Sequence, residues 1–326
     1  MDTRDYSPDD TEHDTRRPLK RARRTPPPSE PYTSTSTNST HMSNGNRNGS
    51  THTPPLPLLS LSILGVEPLD EFILEVADFV HETIRTWEGA GKVELEAKIG
   101  VLRDKTTGQR LQLPSRVETI LPAKSVLDYR FESNMSPKQH QYFNGRLNQL
   151  KLNPPIPQSP ISYAHLHLID SFYNPDGSRD RVRVTRDENT GTVVACMRKV
   201  RLGDLDIYCP KRVADWRISV NVEIPVPQPI GTATHTRKKD RLSYSHEEFV
   251  IDLTQVTSST GTSSQPEVLH ELEIEVARSD YLVYVASKRN DPSAPEEVRG
   301  AFDELIRAFV NNARILVRNA DPRQPL

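Results

Sequence analysis

Residues 92–101 read K-V-E-L-E-A-K-I-G-V, and residues 270–277 read H-E-L-E-I-E-V-A. Both stretches alternate apolar and ionic residues with a period of two, which is the pattern of a β-strand whose two faces differ. Each strand therefore places several carboxylates side by side on one face. Because like charges at this spacing repel, the arrangement needs either open water or a counterion.

The same alternation continues along most of the chain and predicts a mainly antiparallel β structure. N-P-D-G at residues 174–177 and D-E-N-T-G at residues 187–191 are turn signals between consecutive strands. The predicted strands are Val93–Leu102, Ser162–Phe172, Arg181–Arg186, Val193–Arg201, Leu205–Tyr208, Arg217–Ile224, Arg237–Tyr244, Phe249–Leu253, Leu269–Val276 and Tyr281–Ala286.

Apolar residues at helical spacing predict helices near both ends of this β region. The first runs from Leu69 to Trp87, with Pro68 at its start, and the last runs from Pro295 to Asn319. Another helix is predicted from Ser136 or Pro137 to about Leu150. Residues 257–266, T-S-S-T-G-T-S-S-Q-P, have the composition of a flexible insertion.

The ionic faces of the predicted strands segregate by the sign of their charge. One strand carries Glu271, Glu273 and Glu275, whereas other strands carry only bases, which include Arg181 and Arg183, Lys199 and Arg201, and Arg237, Lys239 and Arg241. A single strand of this kind is usually the solvated face of an ordinary sheet. A solubilising surface, however, usually mixes the two signs along each strand.

Segregated charges indicate two opposed walls of an ionic interior. If about eight strands close into a barrel, one face of every strand lies inside, and the apolar face must be covered by helices. The predicted fold class is therefore α+β and mainly β, with a closed eight-stranded antiparallel β-barrel, an ionic interior and helices packed outside. Glutamates bind Mg²⁺ or Mn²⁺, while Arg and Lys bind phosphate, so the charges favour phosphoryl hydrolysis.

The chain has three predicted parts. Residues 1–54 are rich in Ser, Thr, Pro and charge, so we expect a disordered tail. Its basic cluster, Arg16–Arg24, is either a nuclear import or nucleic-acid signal or an ordinary charge run. Residues 55–67 form an apolar linker or docking segment, and packing of Pro55–Gly65 on the folded domain is slightly favoured over docking. Residues 68–322 form the catalytic domain.

Composition excludes several other classes. The chain has 326 residues and a formal net charge of −2 with 26% charged residues, so overall charge does not attract nucleic acid or membranes. It contains no stretch of membrane-spanning length. Its two cysteines, Cys196 and Cys209, do not make a disulfide framework, which fits an intracellular protein.

The order of the ionic motifs resembles a known enzyme family. V-E-L-E-A-K (93–98) and E-L-E-I-E (271–275) are similar to the defining motifs of the triphosphate tunnel metalloenzymes. R-V-R-V-T (181–185), D-W-R-I-S-V-N-V-E (215–223) and R-K-K-D-R-L-S-Y (237–244) resemble its fungal RNA 5′-triphosphatase branch, the β subunits of mRNA capping enzymes. The resemblance covers about Leu56 to Asn319.

The resemblance implies a nuclear, homodimeric tunnel enzyme that requires Mg²⁺, for which Mn²⁺ substitutes. Its substrate would be 5′-triphosphate RNA, from which it removes the γ-phosphate of nascent mRNA. The resulting 5′-diphosphate end is then capped by a guanylyltransferase partner. Budding-yeast members bind that partner through a tryptophan-containing peptide, but Trp87 and Trp216 of this chain lie within predicted elements. This difference implies another docking mode, through Pro55–Gly65 or through the tail. Alternatively, the two enzymes do not bind each other tightly.

The resemblance also implies roles for individual residues. The metal ligands would be Glu94, Glu96 and one glutamate of the last motif, with Glu275 preferred over Glu273. Glu223 would orient or deprotonate the attacking water. The residues that would hold the phosphates are Lys98, Arg183, Lys239 and Arg241, with Arg181, Arg201 and Arg217 as additional phosphate-binding candidates.

Two other functions are compatible with an ionic barrel. The first is a tunnel hydrolase for tripolyphosphate or nucleoside triphosphates, although such an enzyme needs no nuclear import signal in its tail. The second is a non-catalytic barrel that binds anions or RNA ends. Paired glutamates argue against that barrel, because acids repel an anion unless a cation lies between them.

Overall fold

The computed structural model describes residues 59–68, 70–122, 127–174, 181–259 and 265–323. The predicted tail, most of the N-P-D-G turn and residues 260–264 of the predicted insertion lie outside this range. In the described part of the linker, Leu61 is 74% exposed and Ile63 is 102% exposed. The Ser62 hydroxyl donates to the Val66 carbonyl at 2.6 Å, which closes a local turn with outward apolar side chains. For these residues, the favoured prediction that the segment packs on the folded domain is therefore wrong.

The described residues form four helices and ten strands. In chain order they are α1 (Glu71–Arg85), β1 (Lys92–Asp104), β2 (Thr119–Leu121), β3 (Tyr129–Glu132), α2 (Pro137–Leu152), β4 (Ser162–Tyr173), β5 (Val182–Asp187), β6 (Val193–Tyr208), β7 (Asp215–Pro225), β8 (His235–His246), β9 (Phe249–Ser259), β10 (Glu267–Val276), α3 (Ser279–Lys288) and α4 (Glu296–Arg318).

Eight strands close into an antiparallel barrel. Their order around the barrel is β1, β10, β9, β8, β4, β5, β6 and β7, and β7 pairs again with β1. The short strands β2 and β3 extend β6 and β1 outside this ring. The predicted strands Val193–Arg201 and Leu205–Tyr208 are one strand, β6, because a bulge between Arg201 and Gly203 breaks the alternation but not the pairing. The predicted fold class is confirmed.

The barrel is inverted, with its apolar face on the outside. On β7, Trp216, Ile218 and Val220 are fully buried in the main hydrophobic cluster, which also contains the inner faces of α1, α3 and α4. Alternate residues of the same strand point the other way, so Asn221 and Glu223 face the lumen with the ionic side chains of its neighbours. The hydrophobic effect therefore forces the charged face inward, because only the apolar face has helices to cover it.

The predicted covering helices are present. Asp70 caps α1, since its carboxylate accepts from the backbone N–H groups of Phe72 at 3.0 Å and Ile73 at 3.3 Å. α4 buries Phe302 and Phe309 in the core that lies over the barrel. None of the helices in the described residues has the length and apolarity that a membrane crossing requires.

The prediction of a strand at Tyr281–Ala286 is wrong, because these residues belong to α3. Tyr and Val favour strands locally, and the run Y-L-V-Y-V-A is too short for its periodicity to distinguish the two structures. In the folded chain, Leu282, Val285 and Ala286 are buried at helical spacing in the core shared with α1 and α4. Tertiary packing therefore overrides the local strand preference.

Two histidines outside the lumen predict a pH-dependent stability. His140 on α2 and His270 on β10 have ring centroids 4.7 Å apart. Within the described residues, His140 Nε2 and His270 Nδ1 have no hydrogen-bond partner. Burial lowers the pKa of both imidazoles, and the neighbouring His270 lowers that of His140 further. At these two sites the folded protein then binds fewer protons than the unfolded chain, so the stability that the two sites contribute falls as pH drops below the ordinary histidine pKa of about 6.5.

As pH falls from about 7 to about 5.5, we expect the free energy of unfolding, measured by urea denaturation, to shift downward for the wild type relative to the variant that combines His140→Gln with His270→Gln, because neither glutamine takes up a proton. His246→Gln serves as the control and should keep the wild-type slope. If the free energy of unfolding changes equally with pH in the double variant and the wild type, the two histidines are not the source of this pH dependence.

Candidate active site in the barrel lumen

The barrel encloses a cavity of about 600 Å³. Its acidic lining residues are Glu94, Glu96, Asp170, Glu223, Glu271, Glu273 and Glu275, and its basic ones are Lys98, Arg181, Arg183, Lys199, Arg201, Arg237, Lys239 and Arg241. The glutamates come from the adjacent strands β7, β1 and β10, whereas most of the bases come from β8, β5 and β6. The segregation of charge along the sequence thus becomes two facing walls.

The two glutamate-rich stretches are neighbours in the barrel. β1 pairs antiparallel with β10, with Glu96 directly opposite Glu275 and Lys98 directly opposite Glu273. Directly opposed residues have Cβ atoms about 4.5–5.5 Å apart. The closing of the barrel therefore brings carboxylates from both ends of the domain to the same level of the lumen.

Glu94 and Glu96 are held by an amide and by ammonium groups. Asn221 Nδ2 donates to Glu94 at 2.9 Å and to Glu96 at 3.1 Å. Lys199 contacts Glu94 and lies 3.2 Å from Glu96, and Lys98 lies 3.3 Å from the other oxygen of Glu96. Burial and the adjacent Glu96 raise the pKa of Glu94. Burial also acts on Glu96, but Lys98 and Lys199 outweigh it and lower the pKa of that carboxyl.

Glu275 is the lumen glutamate whose negative charge is least balanced by neighbouring bases. Burial, Asp252 and Glu273 raise its pKa to about 8. Within the described residues, it is the one lumen glutamate without a basic group within 4 Å. Glu273 is fully engaged, because Lys98 binds one oxygen at 2.6 Å and Arg241 binds the other at 2.8 Å.

This arrangement fits a hard divalent cation. Glu94, Glu96 and Glu275 offer carboxylate oxygens, which are the ligands that Mg²⁺ and Mn²⁺ prefer. The raised pKa values of Glu94 and Glu275 arise from burial and from neighbouring acids, and a bound cation offsets both effects. These three side chains are therefore the group in the lumen best suited to hold a metal.

The basic wall is centred on Lys239 and Arg241 of β8. Lys239 Nζ lies 2.6 Å from Asp170, and Arg241 lies between Asp252 at 2.5 Å and Glu273 at 2.8 Å. Burial lowers the pKa of Lys239, and the charge of Arg241 adds to this effect, although Asp170 opposes it. For Arg241 the carboxylates of Glu273 and Asp252 outweigh burial and raise the pKa. Both cations are thus buried among acids that they can exchange for phosphate oxygens.

Glu223 lies on the acidic side of the lumen and contacts the basic side. Its carboxylate accepts a hydrogen bond from Arg183 Nη2 at 2.8 Å. In the register of the barrel, Glu223 lies opposite Lys199 on β6 and opposite Lys92 on β1. It is therefore fixed next to the bases without being part of the carboxylate pair formed by Glu96 and Glu275.

The structure brings together all the predicted site residues except Arg217. Arg217 does not line the cavity; its guanidinium binds Asp206 at 2.7 Å, lies 3.3 Å from Asp204 and covers the Phe131 ring at 5.0 Å. The prediction placed Arg217 correctly on the polar face of β7. Along the strand, however, Arg217 lies outside the stretch that faces the cavity and its predicted phosphate-binding bases. The neighbouring aspartates of β6, which neutralise it, could not be paired with it from the sequence.

Lys199, Asp170 and Arg237 also line the lumen but were not assigned to the site. Lys199 shares a strand face with Arg201, and Arg237 shares one with Lys239, so the period-two alternation was a usable signal for both. Asp170 is a lone acid in an apolar strand, L-H-L-I-D-S-F, and its sequence context carried no such signal.

Lys199 is expected to contribute to activity. Its ammonium lies between two carboxylates suited to metal binding, so it is placed to contact a phosphate that approaches that metal. We expect Lys199→Ala to lower phosphate release by on the order of a hundredfold, as loss of a preorganised charged donor does. Lys238→Ala is the matched control, because this lysine lies on the outer face of β8 and binds Glu188. Equal rates for both variants would exclude a role for Lys199.

Comparisons with known proteins agree with this geometry. The family model described as mRNA capping enzyme, beta chain, matches residues 66–322. The mRNA-capping enzyme subunit beta of Schizosaccharomyces pombe is 35% identical over 267 residues, covering 81% of this chain and 86% of that protein. The Cryptococcus neoformans subunit beta is 33% identical, and the match covers 80% of this chain and 64% of that protein.

A solved structure supports the same relationship. The structure of the S. pombe Pct1 RNA triphosphatase superposes with a TM-score of 0.72 at 33% identity, covering 81% of this chain and 99% of that one. The resemblance recognised in the glutamate and arginine motifs is thus confirmed over the whole barrel. The chain belongs to the family of mRNA capping enzyme beta chains.

Proposed function

We propose that the lumen is the active site of a metal-dependent polynucleotide 5′-triphosphatase. It hydrolyses the γ-phosphate from the 5′-triphosphate end of nascent mRNA and leaves a 5′-diphosphate end and phosphate, the first step of cap formation. The observation that carries this proposal is the pair of opposed walls, in which glutamates of β1 and β10 face bases of β5, β6 and β8. Relatives named mRNA-capping enzyme subunit beta and RNA triphosphatase support it.

The basic residues hold the triphosphate. Lys98, Arg183, Lys239 and Arg241 replace their carboxylate partners by phosphate oxygens, and Arg181 and Arg201 extend the same surface along the lumen. Their charges neutralise the equatorial oxygens of the phosphoryl group as charge spreads over them in the transition state.

Glu223 positions the attacking water. Its carboxylate is anchored by Arg183 at 2.8 Å, so it is oriented next to a phosphate-binding group. From there it accepts a hydrogen bond from a water molecule that lies in line with the γ-phosphorus, and it takes up the proton as the P–O bond forms. The bond between the γ-phosphorus and the bridging oxygen breaks, and that oxygen stays on the β-phosphate of the RNA with the electron pair of the broken bond.

Glu94, Glu96 and Glu275 hold the divalent cation. Glu275 is preferred over Glu273 because Lys98 and Arg241 already occupy both oxygens of Glu273. Glu271 is a weaker choice, since it binds Arg237 at 2.7 Å. When bound, Mg²⁺ or Mn²⁺ supplies Lewis-acid stabilisation of negative charge on the phosphoryl oxygens.

Phosphate release by the purified full chain tests the proposal. The substrates are γ-labelled triphosphate RNA, ATP and tripolyphosphate, each assayed with Mg²⁺, with Mn²⁺ and with a chelator. We expect release from RNA that depends on the metal and leaves a diphosphate end. Preference for tripolyphosphate or ATP would favour the small-substrate hydrolase, and binding of triphosphate RNA without release would favour the non-catalytic barrel.

The cellular context is part of the same proposal. The enzyme acts in the nucleus as a homodimer, and its product is taken over by an mRNA guanylyltransferase. The subunit names of the relatives support a capping partner, and the basic cluster Arg16–Arg24 supports nuclear import. The exposed side chains of Leu61, Ile63 and Leu64 support a docking role for the segment 55–67. Deletion of residues 55–67 followed by a binding assay with the guanylyltransferase tests that role.

A further inference from the structure

We propose a second metal site, for a borderline divalent cation such as Zn²⁺, on the outer face of the barrel. Its ligands are His165 and His167 of β4 and Asp240 of β8. One nitrogen or oxygen from each of the three side chains lies within 4.8 Å of those of the other two. This site is separate from the lumen, because Leu168 and Asp170 of β4 and Lys239 of β8 point inward from the alternate positions.

The backbone places the three ligands on one rigid surface. His165 and His167 are two residues apart on a strand, so both imidazoles project from the same face. Asp240 lies directly opposite His167 in the antiparallel register. β4 pairs with β8 along both histidines, and the His167 carbonyl also accepts from the Glu188 backbone N–H at 2.9 Å. Ligands carried by paired strands are held more accurately than ligands on loops.

The side chains already converge on one carboxylate oxygen. His165 Nε2 lies 2.5 Å from Asp240 Oδ1, and His167 Nδ1 lies 4.0 Å from the same oxygen. The two imidazole centroids are 4.4 Å apart. Bonds of about 2.0–2.1 Å around tetrahedral zinc require ligand atoms about 3.4 Å apart. The two present distances to Asp240 Oδ1, 2.5 and 4.0 Å, lie on either side of that spacing.

The chemistry of the ligands selects the class of metal. Imidazole nitrogens suit Zn²⁺ and similar borderline cations, whereas Mg²⁺ prefers the all-oxygen group of the lumen. The three side chains are 40–51% exposed, so an ion can enter from solvent and keep water as a further ligand. The nearby ammonium of Lys238 is neutralised by Glu188 and does not repel the ion.

Binding would link β4 and β8 on the outer face of the wall whose inner face carries Asp170 and Lys239. An ion that binds the folded chain and not the unfolded chain raises the thermal midpoint by mass action. The site is therefore expected to stabilise this wall of the barrel.

Zinc titration of the full chain in excess Mg²⁺, against a chromogenic chelator, tests the proposal. The excess Mg²⁺ occupies the lumen carboxylates. Wild type should bind one more equivalent of Zn²⁺ than the variant that combines His165→Asn and His167→Asn. Asp240→Asn should weaken binding at this site by about tenfold or more, as loss of a ligand does. His246→Asn, a histidine near the end of β8, is the control and should bind as wild type does.

A second measurement guards against misfolded variants. Without zinc, the thermal midpoints of the variants should match that of the wild type, because the replaced side chains are exposed. In excess Mg²⁺, zinc should raise the midpoint of the wild type and of His246→Asn but not that of the double variant. Failure of the wild type to bind Zn²⁺ in excess Mg²⁺, or equal binding by the wild type and the double variant, would overturn the proposal.

Discussion

Replacement of Glu96, a proposed metal ligand, by alanine is expected to lower phosphate release from triphosphate-ended RNA by on the order of a thousandfold, because loss of such a ligand removes several kcal/mol of transition-state stabilisation. Glu96 is buried opposite Glu275 and is bound by Asn221. The measurement is a single-turnover assay with γ-labelled RNA in saturating Mg²⁺.

Two controls separate the loss of the ligand from loss of the fold. Glu96→Gln keeps the volume and the hydrogen bonding of the side chain but not its charge, and we expect it to be nearly as inactive as Glu96→Ala. Glu188→Ala removes a glutamate from the outer surface and should keep wild-type activity. Full activity of a folded Glu96→Gln protein in Mg²⁺ would overturn the assignment of Glu96 as a metal ligand.

Replacement of Asp215 by alanine is expected to lower the free energy of unfolding by about 3–5 kcal/mol, because it breaks a buried ion pair and leaves a partly buried guanidinium without its partner. Asp215 is fully buried, and Arg110 donates to its two oxygens at 2.6 and 3.0 Å. The same carboxylate accepts from the backbone N–H groups of Leu102 at 3.0 Å and Cys209 at 2.9 Å. One side chain thus joins β1, β7 and the end of β6.

Urea denaturation measures this loss, and an exposed ion pair provides the matched control. Lys105 and Asp128 lie 2.5 Å apart, but their side chains are 51% and 68% exposed. Asp128→Ala should therefore cost only about 0–1 kcal/mol, as surface pairs do. A similar loss for both variants would show that the buried position of Asp215 adds nothing.

The alternation of residues made the barrel predictable. Strand periodicity is a local property, so the polar faces of β1, β7, β8 and β10 could be identified from the order of residues alone. The two apolar helices then decided that the charged face lies inside, since they had to cover the opposite one. α3 was mistaken for a strand because Y-L-V-Y-V-A favours strands locally, and its buried positions depend on packing against α4 and against α1, which is distant in sequence.

The composition of the site was less predictable than its location. Lys199 and Arg237 could have been assigned by their place in an alternating strand, but Asp170 becomes part of the site only through its contact with Lys239. Arg217 lies on the polar face of β7, as predicted, but it does not line the cavity, because its guanidinium binds Asp204 and Asp206 instead. The contact of Asp170 with Lys239 joins strands that are far apart in the chain, and that of Arg217 with Asp206 depends on the register of β6 and β7, so no local pattern reports either contact.

The sequence alone settled which face of each strand is charged, that α1 and α4 are helical and which residues carry the acids and bases. Local alternation and helical spacing are enough for this, because each depends on neighbouring residues. Tertiary structure alone decided that Glu96 meets Glu275, that Glu273 is occupied by two bases and that Glu275 is not. Those features depend on barrel closure and register, which join residues far apart in the chain, such as Glu96 and Glu275, whose positions differ by 275 − 96 = 179.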